Sequence, residues 1–308
     1  MKVLVLGAGG QLGTELMRAP WSAEMVVVGV AYPDFDLTRD GDVGRMMAEH
    51  APDLLINATA HTAVDKAESE PELAFRLNRD GPAEMAAACA ARGIPLIHVS
   101  TDYVFDGSKS TPYTEDDPVR PVSVYGASKA AGEAAVRTAL SRHLIFRTSW
   151  VYAAHGANFV KTMLRYGAER EEMRVVADQH GAPTSAADLA AAIVTVAGRI
   201  RTAPEAVAWG TYHLTGGGAT TWHGFAERIF QRMEERAGKR PRLTAIETKD
   251  YPTPARRPAN SRLECTCARE RLGISCPPWE ESLDRVLDEL LPIPARASES
   301  DKQRKTTR

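Results

Sequence analysis

The stretch KVLVLGAGGQLG, residues 2–13, decides the fold class of this chain. After Lys2, residues 3–6 form a short apolar run of valine and leucine, which is typical of a buried strand. Glycines follow at positions 7, 10 and 13. Glycine allows a tight turn after the strand and lets the backbone approach a pyrophosphate at the start of the next helix.

A tight structural turn is the plainer reading of this loop. The strict G-x-G-x-x-G pattern fails, because Leu12 stands where its last glycine would be. The strand before the loop and the helical pattern after it nevertheless favour dinucleotide binding. We therefore predict cofactor contacts at Gly7, Gly10 and Gly13.

Apolar runs alternate with helical patterns along the first half of the chain. The predicted strands are KVLVLGA, MVVVGV, DLLINATA, PLIHVST and HLIFRTSW. The longest helix between them is predicted over PELAFRLNRDGPAEMAAACAARG, with Gly93 as its cap. This alternation predicts an α/β fold with a doubly wound, parallel Rossmann sheet.

After Trp150 the alternation weakens, and Pro, Gly and Arg become more frequent. We expect an NAD(P)-binding Rossmann domain over residues 1–148 and 186–214. A smaller α/β substrate-binding domain is expected over residues 149–185 and 215–295. Residues 296–308 are expected to form a disordered tail, because they contain almost no apolar side chain.

The composition argues against several classes of partner. The net charge of the 308 residues is only -2, whereas nucleic-acid binders usually carry a basic stripe. No apolar run approaches the ~20 residues that cross a membrane, and Lys2 leads directly into a strand rather than a secretory leader. We therefore expect a cytoplasmic protein. The spacing of the four cysteines is not typical of zinc, so we expect free thiols and no metal site: Cys89, Cys265, Cys267 and Cys276.

The segment VYGASKAAGE, residues 124–133, places Tyr125 and Lys129 on one face of a helix. The segment HVSTDYVFDG follows a strand, so Thr101 and Asp102 should point toward the same cleft. Together these groups fit the reduction of a carbonyl, whose oxygen must receive a proton when the carbon receives hydride. The ammonium is expected to lower the pKa of the phenol from about 10, and Thr101 to hold the carbonyl oxygen.

Longer segments resemble the extended short-chain dehydrogenases/reductases, and among them the dTDP-4-dehydrorhamnose reductase family. They are GQLG, INATAHTAVDKAE, STDYVFDG, VYGASKAAGE, LIFRTSWVY, DQHGAPT, TTWHGFAE and RRPANSRL, between residues 10 and 263. The resemblance implies NAD(P)H-dependent reduction of the 4-keto group of dTDP-4-dehydro-L-rhamnose, giving dTDP-L-rhamnose. It implies that Tyr125 donates the proton and that Lys129 and Thr101 complete a catalytic triad.

The resemblance also implies the binding residues. Cofactor contacts are expected at Gly10, Gln11, Leu12, Asp36, Leu37, Ala60, His61, Thr62, Val99, Tyr125 and Lys129. Substrate contacts are expected at Thr101, Asp102 and Trp150. The arginines of RRPANSRL lie either in a solvated loop or against a diphosphate, and on the second reading Asn260 and Arg262 also bind substrate.

The choice between NADPH and NADH stays open, with NADPH slightly favoured. Where some family members carry an acid that binds the ribose, this chain has Gly29, Val30 and Ala31. Some members also bind Mg²⁺ at a dimer contact, but Glu15 is the one candidate ligand in this chain. The metal is therefore not carried over, and a homodimer stays an open possibility.

Two functions other than reduction are also compatible with these motifs. One is a sugar-nucleotide epimerase or dehydratase on the same fold, although a dehydratase should carry an Asp-Glu pair after the threonine and this chain reads TDYV. The other is a non-catalytic subunit that resembles the regulatory subunit of methionine adenosyltransferase. The intact set of Thr101, Tyr125 and Lys129 favours catalysis.

Overall fold

The computed structural model describes residues 1–291, so the predicted tail at 296–308 lies outside the described residues. The strands are β1 (Lys2–Leu6), β2 (Val26–Val30), β3 (Leu54–Asn57), β4 (Leu96–Thr101), β5 (His143–Thr148), β6 (Val151–Tyr152), β7 (Glu172–Val176), β8 (His180–Gly181), β9 (Thr184–Ser185), β10 (Gly210–His213), β11 (Thr220–Thr221) and β12 (Arg242–Ile246). The helices are α1 (Gln11–Arg18), α2 (Asp42–His50), α3 (Val64–Ser69), α4 (Pro71–Phe75), α5 (Gly81–Arg92), α6 (Val124–Ala139), α7 (Phe159–Glu169), α8 (Ala186–Thr202), α9 (Trp222–Ala237), α10 (Thr266–Leu272) and α11 (Trp279–Leu290).

Six parallel strands form the central sheet in the order β2-β1-β3-β4-β5-β10. Val3 of β1 pairs with Val27 of β2 on one side and with Leu54 of β3 on the other. Because the chain order reverses between β1 and β3, a ligand crevice is expected beside the carboxyl ends of these two strands. The predicted α/β fold with a parallel sheet is confirmed.

Helices cover both faces of this sheet. Alternate residues of β1 face opposite sides, so Val3 packs in a cluster with α1, α8 and α10, whereas Leu4 packs with α2, α5 and α6. All four residues from Val3 to Leu6 are fully buried. This double burial explains why β1 reads as a continuous apolar run rather than an alternating one.

A second apolar core joins α7, α9 and α11 beside the sheet. Phe225, Phe230 and Leu283 are fully buried in it. Strands β7 and β12 pair in parallel along its edge. Ion pairs connect α9 to α11 at the surface, where Arg232 bonds Asp288 at 3.0 Å.

The structure differs from the predicted long helix over residues 71–93. A π-helical turn at Arg76–Asp80 separates α4 from α5. This turn directs the Asn78 side chain inward, where it accepts from the His61 N–H at 2.8 Å and donates to the His61 carbonyl at 3.1 Å. Helix α6 also passes close to the turn, because a Cβ atom at Gly132 would lie 2.0 Å from the Asn78 carbonyl oxygen. Gly93 ends α5 at φ +64°.

The chain crosses between the two cores more than once. Strand β10 extends the central sheet beside β5. Ala268, Leu272 and Ile274, which the sequence analysis placed in the substrate-binding domain, pack instead with β1, α1 and α8. The range 215–295 therefore does not form a single separate core. Among residues 1–291, no helix combines the length and apolar character that a bilayer crossing needs.

Candidate active site

The glycine-rich loop after β1 lies very close to its neighbours. Gly7 has φ +89°, and a Cβ atom there would lie 2.8 Å from the carbonyl carbon of Ala58. A Cβ atom at Gly13 would lie 2.0 Å from the Gly7 carbonyl oxygen. Helix α1 then begins at Gln11, on the wall of the cleft. Glycine is thus required for the turn, and the first N–H groups of α1 suit a phosphate.

A cavity of about 400 Å³ lies between this loop and the ends of β2 and β3. Its lining is Gly7, Gly9, Gly10, Ala31, Tyr32, Phe35, Asp36, Leu37, Ala58, Thr59, Ala60 and Leu77. The Asp36 carboxylate accepts hydrogen bonds from the N–H and the hydroxyl of Thr38, at 2.9 and 2.7 Å. These donors lower the pKa of Asp36. Asp36 and Leu37 thus line the same cavity as the glycine loop.

The end of β2 departs from the sequence interpretation at Gly29. A Cβ atom at Gly29 would lie 2.6 Å from the sulfur of Met17 and 2.8 Å from the Cβ of Ala8. A side chain at position 29 would therefore meet α1 and the glycine loop. Ala31 and Tyr32 line the cavity instead, so a ribose-binding acid would have to stand at one of those positions.

A larger cavity of about 670 Å³ shares lining residues with the first and reaches the second core. It brings together most of the predicted site, namely Gly10, Gln11, Leu12, Ala60, Thr62, Val99, Thr101, Asp102, Tyr125, Lys129 and Trp150. These residues come from the ends of β1, β3, β4 and β5 and from α6. Carboxyl ends of neighbouring parallel strands share one edge of a sheet, which is why they converge.

Four of the expected binding residues do not line either cavity: Gly13, His61, Asn260 and Arg262. His61 is buried, with its N–H on Asn78 and its Nε2 3.6 Å from Glu70. Asn260 donates to the carbonyls of Lys109 and Thr111, at 2.7 and 2.9 Å. Arg262 donates to Asn260 Oδ1 at 2.7 Å. Asn260 and Arg262 thus hold the loop at 109–111 and do not line the two cavities described above, and their assignment to the substrate site stays a prediction.

The catalytic face of α6 is built from its first turn. The Ser123 hydroxyl accepts the Gly126 N–H at 3.1 Å and caps the helix. Tyr125 follows, with its ring edge-on to Tyr103 at a centroid distance of 5.7 Å. One turn later, Lys129 Nζ donates to the Val99 carbonyl at 2.6 Å. The phenol and the ammonium therefore both face β4 on one side of the helix, as predicted.

The pKa of Tyr125 differs from the sequence expectation. Burial raises it to about 12, opposed by the Thr101 hydroxyl and reinforced by the charge of Asp102. Burial also lowers the pKa of Lys129 to about 8, while the Glu133 carboxylate opposes that change. The expected lowering of the phenol pKa by the lysine is therefore not found. Desolvation of the ring dominates, and the pKa of Tyr125 is raised.

Asp102 stands beside this pair. Its Oδ1 accepts from the Thr101 hydroxyl at 2.9 Å. Burial raises the pKa of Asp102 to about 7. Near neutral pH its carboxyl group therefore exchanges between a charged acceptor and a neutral acid at the cleft wall.

Two indoles form the far wall of the cleft. The rings of Trp150 and Trp222 stack with centroids 3.6 Å apart and planes inclined by 9°. Trp150 has φ +49°, and Gly181 lies behind it, since a Cβ atom there would be 2.5 Å from the indole. Trp150 was predicted as a substrate contact, whereas Trp222 was not.

Comparisons with known proteins agree with this geometry. Residues 1–291 match the family model of the RmlD substrate binding domain. A dTDP-4-dehydrorhamnose reductase of Sinorhizobium fredii is 46% identical over 94% of this chain and 98% of its own length. The chain belongs to the dTDP-4-dehydrorhamnose reductase family. The resemblance read from the sequence motifs is thereby confirmed.

Solved structures of this family superpose closely on the chain. The dTDP-4-dehydrorhamnose reductase of Clostridium acetobutylicum is 38% identical, with a TM-score of 0.87 over 94% of this chain and 99% of the other. The enzyme of Bacillus anthracis, solved in complex with NADP, is 37% identical, with a TM-score of 0.85 over the same shares of the two chains. These structures share the Rossmann-like sheet described above.

Two further residues line the cleft: Trp222, to which the sequence assigned no role, and Arg257, whose role it left open. Arg257 lines the larger cavity and forms a bidentate pair with Asp65, at 3.1 and 2.8 Å. For the three arginines of RRPANSRL, the sequence did not distinguish a position in a solvated loop from a contact with a diphosphate. Trp222 begins α9 within the segment TTWHGFAE, which carried part of the family resemblance but no role for the indole. Glu15 accepts a hydrogen bond from His155, and in residues 1–291 no group of three or more His, Cys, Asp or Glu is placed to hold a metal ion.

Proposed function

We propose that this protein is an NAD(P)H-dependent reductase that converts dTDP-4-dehydro-L-rhamnose to dTDP-L-rhamnose in the cytoplasm. The observation that carries the proposal is the meeting of Thr101, Tyr125 and Lys129 in a cleft that starts at a helix N-terminus behind a glycine loop. Family membership and a relative solved with NADP support the choice of reaction.

The cleft suits a dinucleotide cofactor. Gly7 and Gly13 leave no room for a side chain, and the loop and β3 enclose the adenosine cavity. The residues that would hold the cofactor are Gly10, Gln11, Leu12, Asp36, Leu37, Ala60, Thr62, Val99, Tyr125 and Lys129. When bound, its reduced nicotinamide supplies the hydride that the keto carbon accepts.

Tyr125 holds the proton that the keto oxygen receives. Its high pKa keeps the phenol protonated before the reaction. The Thr101 hydroxyl beside it, which in the structure donates to Asp102 Oδ1, would rotate to give the same oxygen a second donor. The Lys129 ammonium, held at the Val99 carbonyl, favours the phenolate that remains after transfer.

The substrate is oriented from the opposite wall. We propose that the Trp150 indole, backed by Trp222, packs against the deoxysugar. Arg257 is proposed to meet the diphosphate, because its guanidinium is half-buried in the cleft wall and already fixed by Asp65. Asp102 accepts a sugar hydroxyl when ionised.

The test is an assay of NADPH and NADH oxidation with dTDP-4-dehydro-L-rhamnose and with GDP-linked 4-keto sugars. Stoichiometric oxidation of the cofactor with formation of dTDP-L-rhamnose supports the proposal. An epimerase would retain its cofactor through turnover, so conversion of a sugar nucleotide without net oxidation would contradict it. Because Ala31 is uncharged, oxidation of both cofactors is expected.

A further inference from the structure

A buried carboxylate lies directly behind the catalytic pair. On α6, Glu133 follows Lys129 by four residues and Tyr125 by eight, which places all three on one helix face. Glu133 is fully buried, and Lys129 is 2% exposed. A buried carboxylate is unfavourable unless every oxygen is paired, so its partners indicate what it stabilises.

The partners of Glu133 come from both strands beneath the helix. The Ser100 hydroxyl on β4 donates to Oε1 at 2.6 Å. Arg147 on β5 donates from Nε to Oε1 at 2.9 Å and from Nη2 to Oε2 at 2.7 Å. Arg137, one turn further along α6, donates to Oε2 at 3.0 Å. The carboxylate therefore ties the catalytic helix to β4 and β5 simultaneously.

The β4 anchor is adjacent to the reacting groups. Ser100 immediately precedes Thr101, and Val99 before it accepts the Lys129 ammonium at 2.6 Å. Helix α6 thus holds two successive residues of β4, Val99 and Ser100, through the side chains of Lys129 and Glu133. A displacement of this helix relative to β4 would change the separation between the Tyr125 phenol and the Thr101 hydroxyl.

Glu133 also supplies negative charge beside Lys129. Burial favours the neutral amine, and the carboxylate opposes that effect. His98, buried in β4, has its own pKa lowered by burial and by Lys129, so it is neutral. Arg137 and Arg147 are the ionisable groups paired with Glu133, and Tyr125 and Asp102 line the same cavity as Lys129.

We propose that Glu133 is a positioning residue of the reductase, which fixes Tyr125 and Lys129 of α6 against Ser100 and Thr101 of β4 and maintains Lys129 as an ammonium. The inference rests on the proposed function. It predicts two separable effects, one of geometry and one of charge.

The charge effect is tested with Glu133→Gln, which keeps the side-chain length but removes the charge. The pH profile of kcat/KM for the purified enzyme is measured with NADPH and dTDP-4-dehydro-L-rhamnose. The alkaline limb should move to lower pH by at least about 0.5 unit, because the ammonium is lost earlier as pH rises. A folded Glu133→Gln enzyme with its alkaline limb in the wild-type position would overturn the charge role.

The geometric effect is tested with Ser100→Ala and Glu133→Asp, which keep the charge but weaken the anchor on β4. Both should lower kcat by about tenfold and leave the alkaline limb in place, since a misplaced donor slows transfer. Unchanged kcat in both variants would reject the positioning role, even if Glu133→Gln did not fold. Asp188→Asn, which breaks the ion pair with Arg285, is the matched control and should change neither quantity. Lack of reductase activity in the wild-type enzyme would instead refute the proposed function.

Discussion

Trp150 and Trp222 stack face to face at 3.6 Å, although one follows β5 of the central sheet and the other begins α9 of the second core. The pair joins the two cores at the cleft, where both indoles contribute to the wall. Aromatic pairs have preferred geometries, so the stacking favours one orientation of the two rings in this wall.

Trp150→Phe should raise KM for the sugar nucleotide and lower kcat together. The smaller ring loses stacking area and the indole N–H, and a carbonyl misplaced by about 1 Å can cost up to ~100-fold in rate. Steady-state kinetics and thermal unfolding are measured on the same preparation. Trp279→Phe is the control, because Trp279 is 5% exposed and packs edge-on to Phe225 in the second core. A lower Tm with unchanged kcat/KM for Trp150→Phe would show that Trp150 is only a core residue.

Tyr125→Phe should retain cofactor binding and lose most turnover. The ring keeps its packing on Tyr103, but the proton is absent, and general acid catalysis contributes roughly 10² to 10⁴ in rate. Single-turnover rates and cofactor titrations measure the two effects separately. Tyr152→Phe removes a buried hydroxyl from the second core and should leave the rate unchanged. Retention of more than about a tenth of kcat by Tyr125→Phe would exclude this tyrosine as the main donor.

Activity should decline on the alkaline side as Lys129 loses its proton. Burial lowers the pKa of this lysine to about 8, so the ammonium is present below that pH and lost above it. Lys129→Met should therefore reduce turnover and cofactor affinity, and remove the corresponding limb from the pH profile. Cofactor dissociation constants measured by fluorescence at pH 6.5 and 9 provide the check. If Lys129→Met binds the cofactor as tightly as the wild-type enzyme does, then Lys129 acts only in the chemical step and does not help to bind the cofactor.

Asp102→Asn should stabilise the protein at alkaline pH while reducing activity. The folded-state pKa of Asp102 is raised to about 7 from 3.8. The folded protein holds this proton more tightly than the unfolded chain does, so protonation of Asp102 stabilises the fold. This contribution is fully present below pH 3.8 and is lost as pH rises through about 7. The neutral amide avoids that loss, so the gain in Tm over wild type should be larger at pH 8 than at pH 5. Equal gains at the two pH values would show that the carboxyl is solvated.

Ala31→Asp should shift the cofactor preference toward NADH by about tenfold, equivalent to about 1.4 kcal/mol. Ala31 lines the adenosine cavity, where a carboxylate would repel a 2′-phosphate and accept ribose hydroxyls. Gly29→Asp is the informative contrast, because its side chain would collide with Met17. It should lower Tm without altering the ratio of kcat/KM values for the two cofactors. A larger shift for Gly29→Asp than for Ala31→Asp would contradict this placement.

The succession of strands, turns and helices in the first half of the chain was predictable from the sequence. Periodicity and glycine spacing predicted β1, the turn at Gly7 and α1, because each depends on neighbouring residues and backbone sterics. The rule that strand ends face the cleft then placed Thr101, and the four-residue spacing placed Tyr125 beside Lys129. A resemblance over many segments added the family.

Only the tertiary structure decided which side chains reach the cleft. His61 bonds Asn78 through its backbone N–H, and the Asn260 amide bonds the loop at 109–111, and neither residue lines the two described cavities. Gly29 is blocked by Met17, a contact between β2 and α1 that no local pattern encodes. Trp222 begins α9, which packs in the second core, and it stacks on Trp150, which follows β5 of the central sheet. Side-chain direction depends on long-range packing, whereas strand and helix order depends on near neighbours.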